Sequence, residues 1–207
     1  MASSKFRNLL WDCGGVLLTN GWDHTERAKV LAQFSLDYDA FDQRHEAPND
    51  AWEKGELSVA QYLELTLFYE KRSFTLQQFV DAMKAQSVAQ YPENLQLAAT
   101  LAATGKYQMC LLNNEARELN DYRIRTFNLR QSFTSFFSSC YMGLRKPGRA
   151  IYQRALDLGQ FDPAETIFID DRKENLAAAA QFGIHAVHMQ SPAQLRAELQ
   201  SLGISAA

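Results

Sequence analysis

The chain has 207 residues, of which 46% are apolar and 22% charged, and its formal net charge is −3. This length fits one α/β core that carries an inserted module. The composition is that of an ordinary globular protein. The lack of a basic block argues against a nucleic-acid partner. No apolar run reaches membrane-spanning length, so we expect no membrane partner either.

The cysteines and the first residues bear on the compartment. Cys13, Cys110 and Cys140 show no paired spacing, which is typical of reduced thiols that pack as small hydrophobic side chains. No apolar stretch precedes Leu9, so we expect no signal peptide. A cytoplasmic location is the resulting prediction. The sequence leaves open whether the protein is a monomer or a homodimer.

The first strand and the helical segment after it can be read from the pattern. Residues 9–11 are apolar and lead to Asp12 and then to two glycines, as at the end of a buried strand. Residues 22–36 have helical periodicity, and a looser segment follows, with Pro48 as its break. Ser58 with Gln61, and residues 75–78, form two capping boxes that begin further helices. The pattern predicts a small α-helical bundle over residues 19–90.

Strands and helices alternate in the rest of the chain. Strand patterns occupy residues 107–112, 133–141, 166–169 and 185–189, with helical patterns between them. Such alternation predicts an α/β fold with a doubly wound, mostly parallel sheet. The core domain is expected to comprise residues 1–18 and 91–207, with residues 19–90 inserted as a cap.

Polar residues follow four of these strands, at the edge where ligands bind in open α/β sheets. Carboxylates with one lysine and amide donors suit a divalent cation and a phosphoryl group, since Mg²⁺ prefers oxygen ligands. A carboxylate can also act as a nucleophile and form an aspartyl-phosphate. The residues concerned are Asp12, Asn113, Asn114, Lys146, Asp170 and Asp171.

The order of these motifs resembles the haloacid dehalogenase (HAD) superfamily of phosphohydrolases. The motifs are Asp-x-Gly-Gly-Val-Leu, a strand followed by asparagine, Lys-Pro, and Ile-Asp-Asp-x-x-x-Asn, and they span nearly the whole chain. The segment 52–58 is similar to the cap of the subgroup that includes α-D-glucose 1-phosphate phosphatase. The resemblance implies a Rossmann-like core, a small α-helical cap, a Mg²⁺ cofactor and a small phosphorylated substrate.

The resemblance also assigns roles residue by residue. Asp12 matches the nucleophile, and it would bind the metal together with the Gly14 carbonyl, Asp171 and Asp170. Lys146 would neutralise the nucleophile and the transferring group. Asn113 and Asn114 match the residues that bind the phosphoryl oxygens, with Asn113 counted among the catalytic set.

Two positions depart from the family pattern. Gly14 stands where the family has a second aspartate, which protonates the leaving group, and Asn113 replaces a serine or threonine. Asp23 and His24 are the nearest alternative proton donors. Two other functions therefore stay open. One is a 2-haloacid dehalogenase-type hydrolase, against which the Asp170 and Asp171 pair argues. The other is a catalytically impaired binding protein with the HAD fold.

Overall fold

The protein was analysed as a computed structural model, which describes residues 4–205. Its centre is a sheet of five parallel strands in the order β3-β2-β1-β4-β5. The strands are β1 (Asn8–Trp11), β2 (Gln108–Leu111), β3 (Ser135–Phe136), β4 (Thr166–Asp170) and β5 (His185–His188). β2 and β4 pair with opposite edges of β1, so the later strands extend the sheet on both sides of this central strand. The predicted doubly wound α/β fold is confirmed.

Helices cover both faces of the sheet, as a parallel sheet requires. Successive residues of β1 alternate between the two faces, so Leu9 and Trp11 pack in one apolar cluster and Leu10 packs in another. The first cluster includes residues of α5 (Pro92–Ala103) and α10 (Pro192–Ser201), and the second includes α8 (Arg149–Gly159) and α9 (Lys173–Ala180). The remaining helices of this part are α6 (Arg117–Thr126) and α7 (Ser139–Met142).

Four helices lie between β1 and α5: α1 (His24–Gln33), α2 (Tyr38–Glu53), α3 (Val59–Thr66) and α4 (Leu76–Ala85). Both predicted capping boxes are present, at Ser58 with Gln61 and at Thr75 with Gln78. The four helices share an aromatic cluster that also takes in Leu119 from α6. The helical character of this insert is therefore confirmed, whereas its exact boundaries stay a prediction.

Two elements differ from the sequence-based expectation. Helix α2 runs through Pro48, where a break was expected. Its buried residues Phe41, His45 and Trp52 recur at helical spacing, and burying this face offsets the hydrogen bond that proline removes. The third strand has only two residues, Ser135–Phe136, because the chain turns into α7 at Ser139. Within residues 4–205 no helix has the length and apolar character needed to cross a membrane.

Candidate active site

The site lies beyond the carboxyl ends of β1 and β4. These strands pair in parallel with Trp11 opposite Ile169, and the Asp12 amide donates to the Ile169 carbonyl at 2.8 Å. The register therefore places Asp12 beside Asp170, the last residue of β4. The sequence predicts that these acids meet at one sheet edge, and the strand pairing explains why they do.

Lys146 joins the two acids. Its Nζ lies 2.9 Å from Asp12 Oδ1 and 2.7 Å from Asp170 Oδ2, and its side chain is only 1% exposed. Burial lowers the pKa of Lys146, but the two carboxylates outweigh it and the net pKa is raised. The amide of Asn114 fixes the lysine backbone, since Nδ2 donates to the Lys146 carbonyl and Oδ1 accepts from its N–H. Lys146 is therefore a charged group held in one position.

Asp170 is fully enclosed by donors. Besides Lys146, it accepts hydrogen bonds from Asn175 Nδ2 at 3.0 and 3.1 Å and from the Arg172 amide at 2.8 Å. The residue is 0% exposed. These donors hold Asp170 in one position beside Lys146, and its carboxylate still offers a ligand atom to the acid cluster.

Asp12 and Asp171 retain free oxygen atoms. Asp12 Oδ1 bonds to Lys146 and to the Cys13 amide at 2.8 Å, so Oδ2 is the atom left for chemistry. Asp171 Oδ1 is buried without a hydrogen-bond partner. Each of Asp12, Asp170 and Asp171 offers an oxygen within 4.8 Å of those of the other two. Three carboxylates around one lysine leave excess negative charge, which a divalent cation would neutralise, so the residues fit a metal ion.

The pKa shifts of these acids are consistent with a metal-binding role. Burial is the largest cause that raises the pKa of Asp12, and Asp170 and Asp171 add to it against the opposing effect of Lys146. Burial and the neighbouring Asp170 likewise raise the pKa of Asp171. Carboxyl groups with perturbed pKa values in a cleft are typical of functional sites.

The loop after Asp12 is tightly packed. Gly15 has φ +71°, and a side chain there would overlap the Asp171 carboxylate. Gly14 does not have a left-handed conformation. A Cβ at Gly14 would instead lie 2.9 Å from Asn20 Oδ1, so the asparagine fills the space beside this glycine.

Asn113 is engaged in side-chain hydrogen bonds. Its Nδ2 donates to Asn120 Oδ1 at 3.0 Å, and its Oδ1 accepts from Ser138 Oγ at 2.8 Å. The residue is 1% exposed and does not line the cavity. Its contact with phosphoryl oxygens therefore stays a prediction, whereas Asp12, Gly14, Asn114 and Lys146 all line the cavity.

A cavity of about 310 Å³ extends from Asp12 to the inserted helices. The cap contributes a polar wall made of Trp22, Asp23, Arg27, His45, Asn49 and Glu53. Asp23 is a candidate from the sequence, whereas Arg27, His45, Asn49 and Glu53 were not predicted. The sequence contains one weak indication of this wall. His45 lies on the apolar face of α2, four residues after Phe41 and seven before Trp52. A polar residue on an apolar helix face indicates that this part of the face contacts something other than the hydrophobic core.

Each arginine of the cavity wall already has a carboxylate partner. Arg27 pairs with Asp42 at 2.8 Å. Arg145 pairs with Asp50 at 2.9 Å, Arg172 pairs with Asp23 at 2.7 Å, and Arg123 pairs with Glu115 at 2.8 Å. The cavity wall is therefore polar but carries little unpaired positive charge.

The suggested alternative proton donors are poorly suited to that task. Burial raises the pKa of Asp23, but hydrogen bonds from His24 and the charge of Arg172 outweigh it, and the net pKa is lowered. Asp23 is therefore a carboxylate at neutral pH. His24 is bound to Asp23 through Nδ1 at 3.1 Å, with a largely exposed side chain.

Comparison with known proteins identifies the family. The sheet order, the inserted helices and the acid–lysine cluster define a HAD-type α/β hydrolase. Residues 6–183 match the family of haloacid dehalogenase-like hydrolases. The chain belongs to this family.

Several individual proteins are similar. The chain is 26% identical to mouse acyl-CoA dehydrogenase family member 10 over 212 residues, a match that covers 96% of this chain but 19% of that protein. It is 36% identical over 70 residues to sesquiterpene phosphatase astK of Aspergillus oryzae, covering 34% of this chain and 36% of that protein. A HAD family enzyme from Bacteroides thetaiotaomicron, solved with magnesium and inorganic phosphate, superposes with a TM-score of 0.77. That structure is 24% identical, and the match covers 89% of this chain and 94% of that one.

Proposed function

We propose that the protein is a Mg²⁺-dependent phosphomonoester hydrolase that acts on a small phosphorylated metabolite through an aspartyl-phosphate. The observation that carries this proposal is the position of Lys146 Nζ between Asp12 and Asp170, with Asp171 completing the carboxylate cluster. A buried lysine and a divalent cation are the charges that a transferring phosphoryl group requires.

The chain's own residues supply the remaining steps. Asp12 Oδ1 is held by Lys146 and the Cys13 amide, so Oδ2 is free to attack phosphorus in line. The new Oδ2–P bond forms as the bond from phosphorus to the leaving oxygen breaks. A water molecule then attacks phosphorus, releases phosphate and restores the carboxylate. Mg²⁺, bound by Asp12, Asp171 and the Gly14 carbonyl, would neutralise charge on the phosphoryl oxygens.

The proposed substrate is a sugar phosphate such as α-D-glucose 1-phosphate. The small polar cavity supports a small hydrophilic leaving group. Gly14 has no side chain to protonate the leaving oxygen, which favours an anomeric oxygen over a primary alkoxide. Support for hydrolase activity as such, and not for the sugar, comes from two similar proteins that are named sesquiterpene phosphatase astK and flavin mononucleotide hydrolase 1 of Arabidopsis thaliana.

The test is release of inorganic phosphate from a panel of phosphomonoesters, with Mg²⁺ and with EDTA. We expect turnover only with Mg²⁺, and none from Asp12→Asn, because an amide cannot form the acyl phosphate. Circular dichroism should show that the variant is folded. Turnover by Asp12→Asn close to that of the wild type would refute the nucleophile. Halide release from 2-haloacids without metal would favour a dehalogenase instead.

A further inference from the structure

A buried hydrogen-bonded chain runs through the cap to the cavity. Trp22 Nε1 donates to Tyr62 Oη at 2.8 Å, and Tyr62 Oη lies 2.6 Å from His45 Nδ1. Tyr62 is 0% exposed, and Trp22 and His45 are 6% and 8% exposed. The ring of Tyr62 also stacks on Trp52 with centroids 4.3 Å apart, so the hydroxyl is held in place.

The chain of bonds indicates which imidazole nitrogen carries the proton. An indole N–H can only donate, so Tyr62 Oη accepts from Trp22. Burial raises the pKa of Tyr62, which keeps its hydroxyl protonated. His45 Nδ1 lies 2.6 Å from Tyr62 Oη, and the Thr66 side chain also contacts Tyr62. The short contact favours Nδ1 as the acceptor of the Tyr62 proton, which puts the proton of the neutral imidazole on Nε2.

The imidazole is neutral under ordinary conditions. Burial lowers the pKa of His45 to about 4, and Arg27 and Arg145 add to this effect while Asp42 and Asp23 oppose it. His45 lines the cavity, and its Nε2 bonds to no residue within 4–205. The free nitrogen is thus a fixed, uncharged hydrogen-bond donor.

The other polar groups of the cap wall indicate which kind of substrate group would accept a hydrogen bond from His45 Nε2. Arg27 Nε and Asn49 Oδ1, a donor and an acceptor in residues that line the cavity, are buried without partners. The wall cations are paired with carboxylates, which disfavours a second anionic group on the substrate. Hydroxyl groups donate and accept without charge, so they match the uncharged His45 donor and the already paired cations of this wall.

We propose that His45 is a specificity-determining residue whose Nε2–H donates a hydrogen bond to a hydroxyl oxygen of the leaving group, and that the cap therefore selects hydroxylated over apolar leaving groups. This inference rests on the proposed phosphatase function. Sites built to bind a hydroxyl group discriminate against analogues that lack it, because the site's polar atoms are then left unpaired.

The test compares two variants and two substrates. His45→Asn keeps an acceptor for the Tyr62 hydroxyl but has no donor at the Nε2 position, whereas His45→Gln places an amide donor near it. The substrates are α-D-glucose 1-phosphate and 4-nitrophenyl phosphate, which has no hydroxyl group on its leaving group. For His45→Asn we expect the ratio of kcat/KM for the sugar phosphate to that for the aryl phosphate to fall by about 3- to 10-fold, mainly through KM. His45→Gln should recover part of the ratio, and His185→Asn, which replaces an exposed histidine on β5, should leave it unchanged.

The outcomes separate the two proposals. Equal losses on both substrates would show that His45 is only structural, and a wild type that cleaves only the aryl ester would overturn the selection of hydroxylated groups. Absence of Mg²⁺-dependent cleavage of both esters would refute the phosphatase function, and the substrate role of His45 with it. The tautomer is tested separately by the ¹⁵N shifts of the His45 ring. A proton found on Nδ1 would overturn the inference whatever the activity.

Discussion

Burial of His45 predicts a specific dependence of stability on pH. The pKa of this histidine falls from 6.5 to about 4 on folding, so the unfolded chain binds more protons between these values. The contribution of His45 to stability is therefore fully present above pH 6.5 and is lost as the pH falls towards 4. At about 1.4 kcal/mol per pH unit, the difference sets an upper bound of roughly 3 kcal/mol.

Two structural factors reduce that bound. Solvent in the cavity can reach the Nε2 side of the ring, and Asp42 and Asp23 partly compensate a positive charge there. We therefore expect an effect of about 1–2 kcal/mol. His45→Asn removes the titrating group while it keeps an acceptor for Tyr62, so the free energy of unfolding of this variant should vary less with pH over the same interval.

Urea denaturation of wild type and His45→Asn between pH 4 and pH 7, at constant ionic strength and without metal, measures the difference. Acids elsewhere in the chain titrate in both proteins, so subtracting the two curves isolates His45. His185→Asn serves as the control and should follow the wild type. A constant difference between wild type and His45→Asn across this range would contradict the neutral, buried imidazole and the donor role that depends on it.

Two further predictions concern the core. Asp171→Ala should weaken Mg²⁺ binding in titration calorimetry, because Oδ1 of this residue is buried without a protein partner, and unchanged affinity would show that the metal lies elsewhere. Gly14→Asp alone should gain little, since its Cβ would lie 2.9 Å from Asn20 Oδ1. Combined with Asn20→Ala it should raise kcat/KM for sugar 6-phosphates by up to about 10²-fold, and more than for 1-phosphates. A wild type that already cleaves both equally well would contradict this account.

The sequence was most informative where local rules and topology coincide. Residues that end parallel strands must meet at one sheet edge, so Asp12, Asp170 and Asp171 could be brought together without coordinates. The capping boxes at Ser58 and Thr75 are equally local, because each depends on residues three apart. Pro48 misled the prediction, because the local preference against proline was outweighed by the buried face of α2.

The cap wall could not be predicted, because it depends on long-range packing and not on local rules. His45, Asn49 and Arg27 reach the cavity through the packing of α1 and α2 over the sheet edge, and no short motif specifies that packing. Asn113 shows the same limit in the core. Its place after β2 is set by topology, but the direction of its side chain depends on Ser138 and Asn120, which only the folded chain brings near.

The contacts of the cap with the core determine how a moving cap would behave. Glu118 of α6 accepts from Trp52 Nε1 at 3.0 Å and from the Val59 amide at 2.9 Å, beside an apolar cluster that α6 shares with the cap helices. The contacts that line the cavity are instead ion pairs such as Arg172 with Asp23, whose side chains are 48% and 28% exposed. Exposed pairs cost at most about 1 kcal/mol to break, whereas separating the apolar cluster would expose several large side chains. We therefore expect substrate entry by a limited opening at the ion-paired side, where pairs such as Arg172 with Asp23 and Arg145 with Glu53 lie, and we expect the α6 side to be the fixed edge, because opening there would separate the apolar cluster.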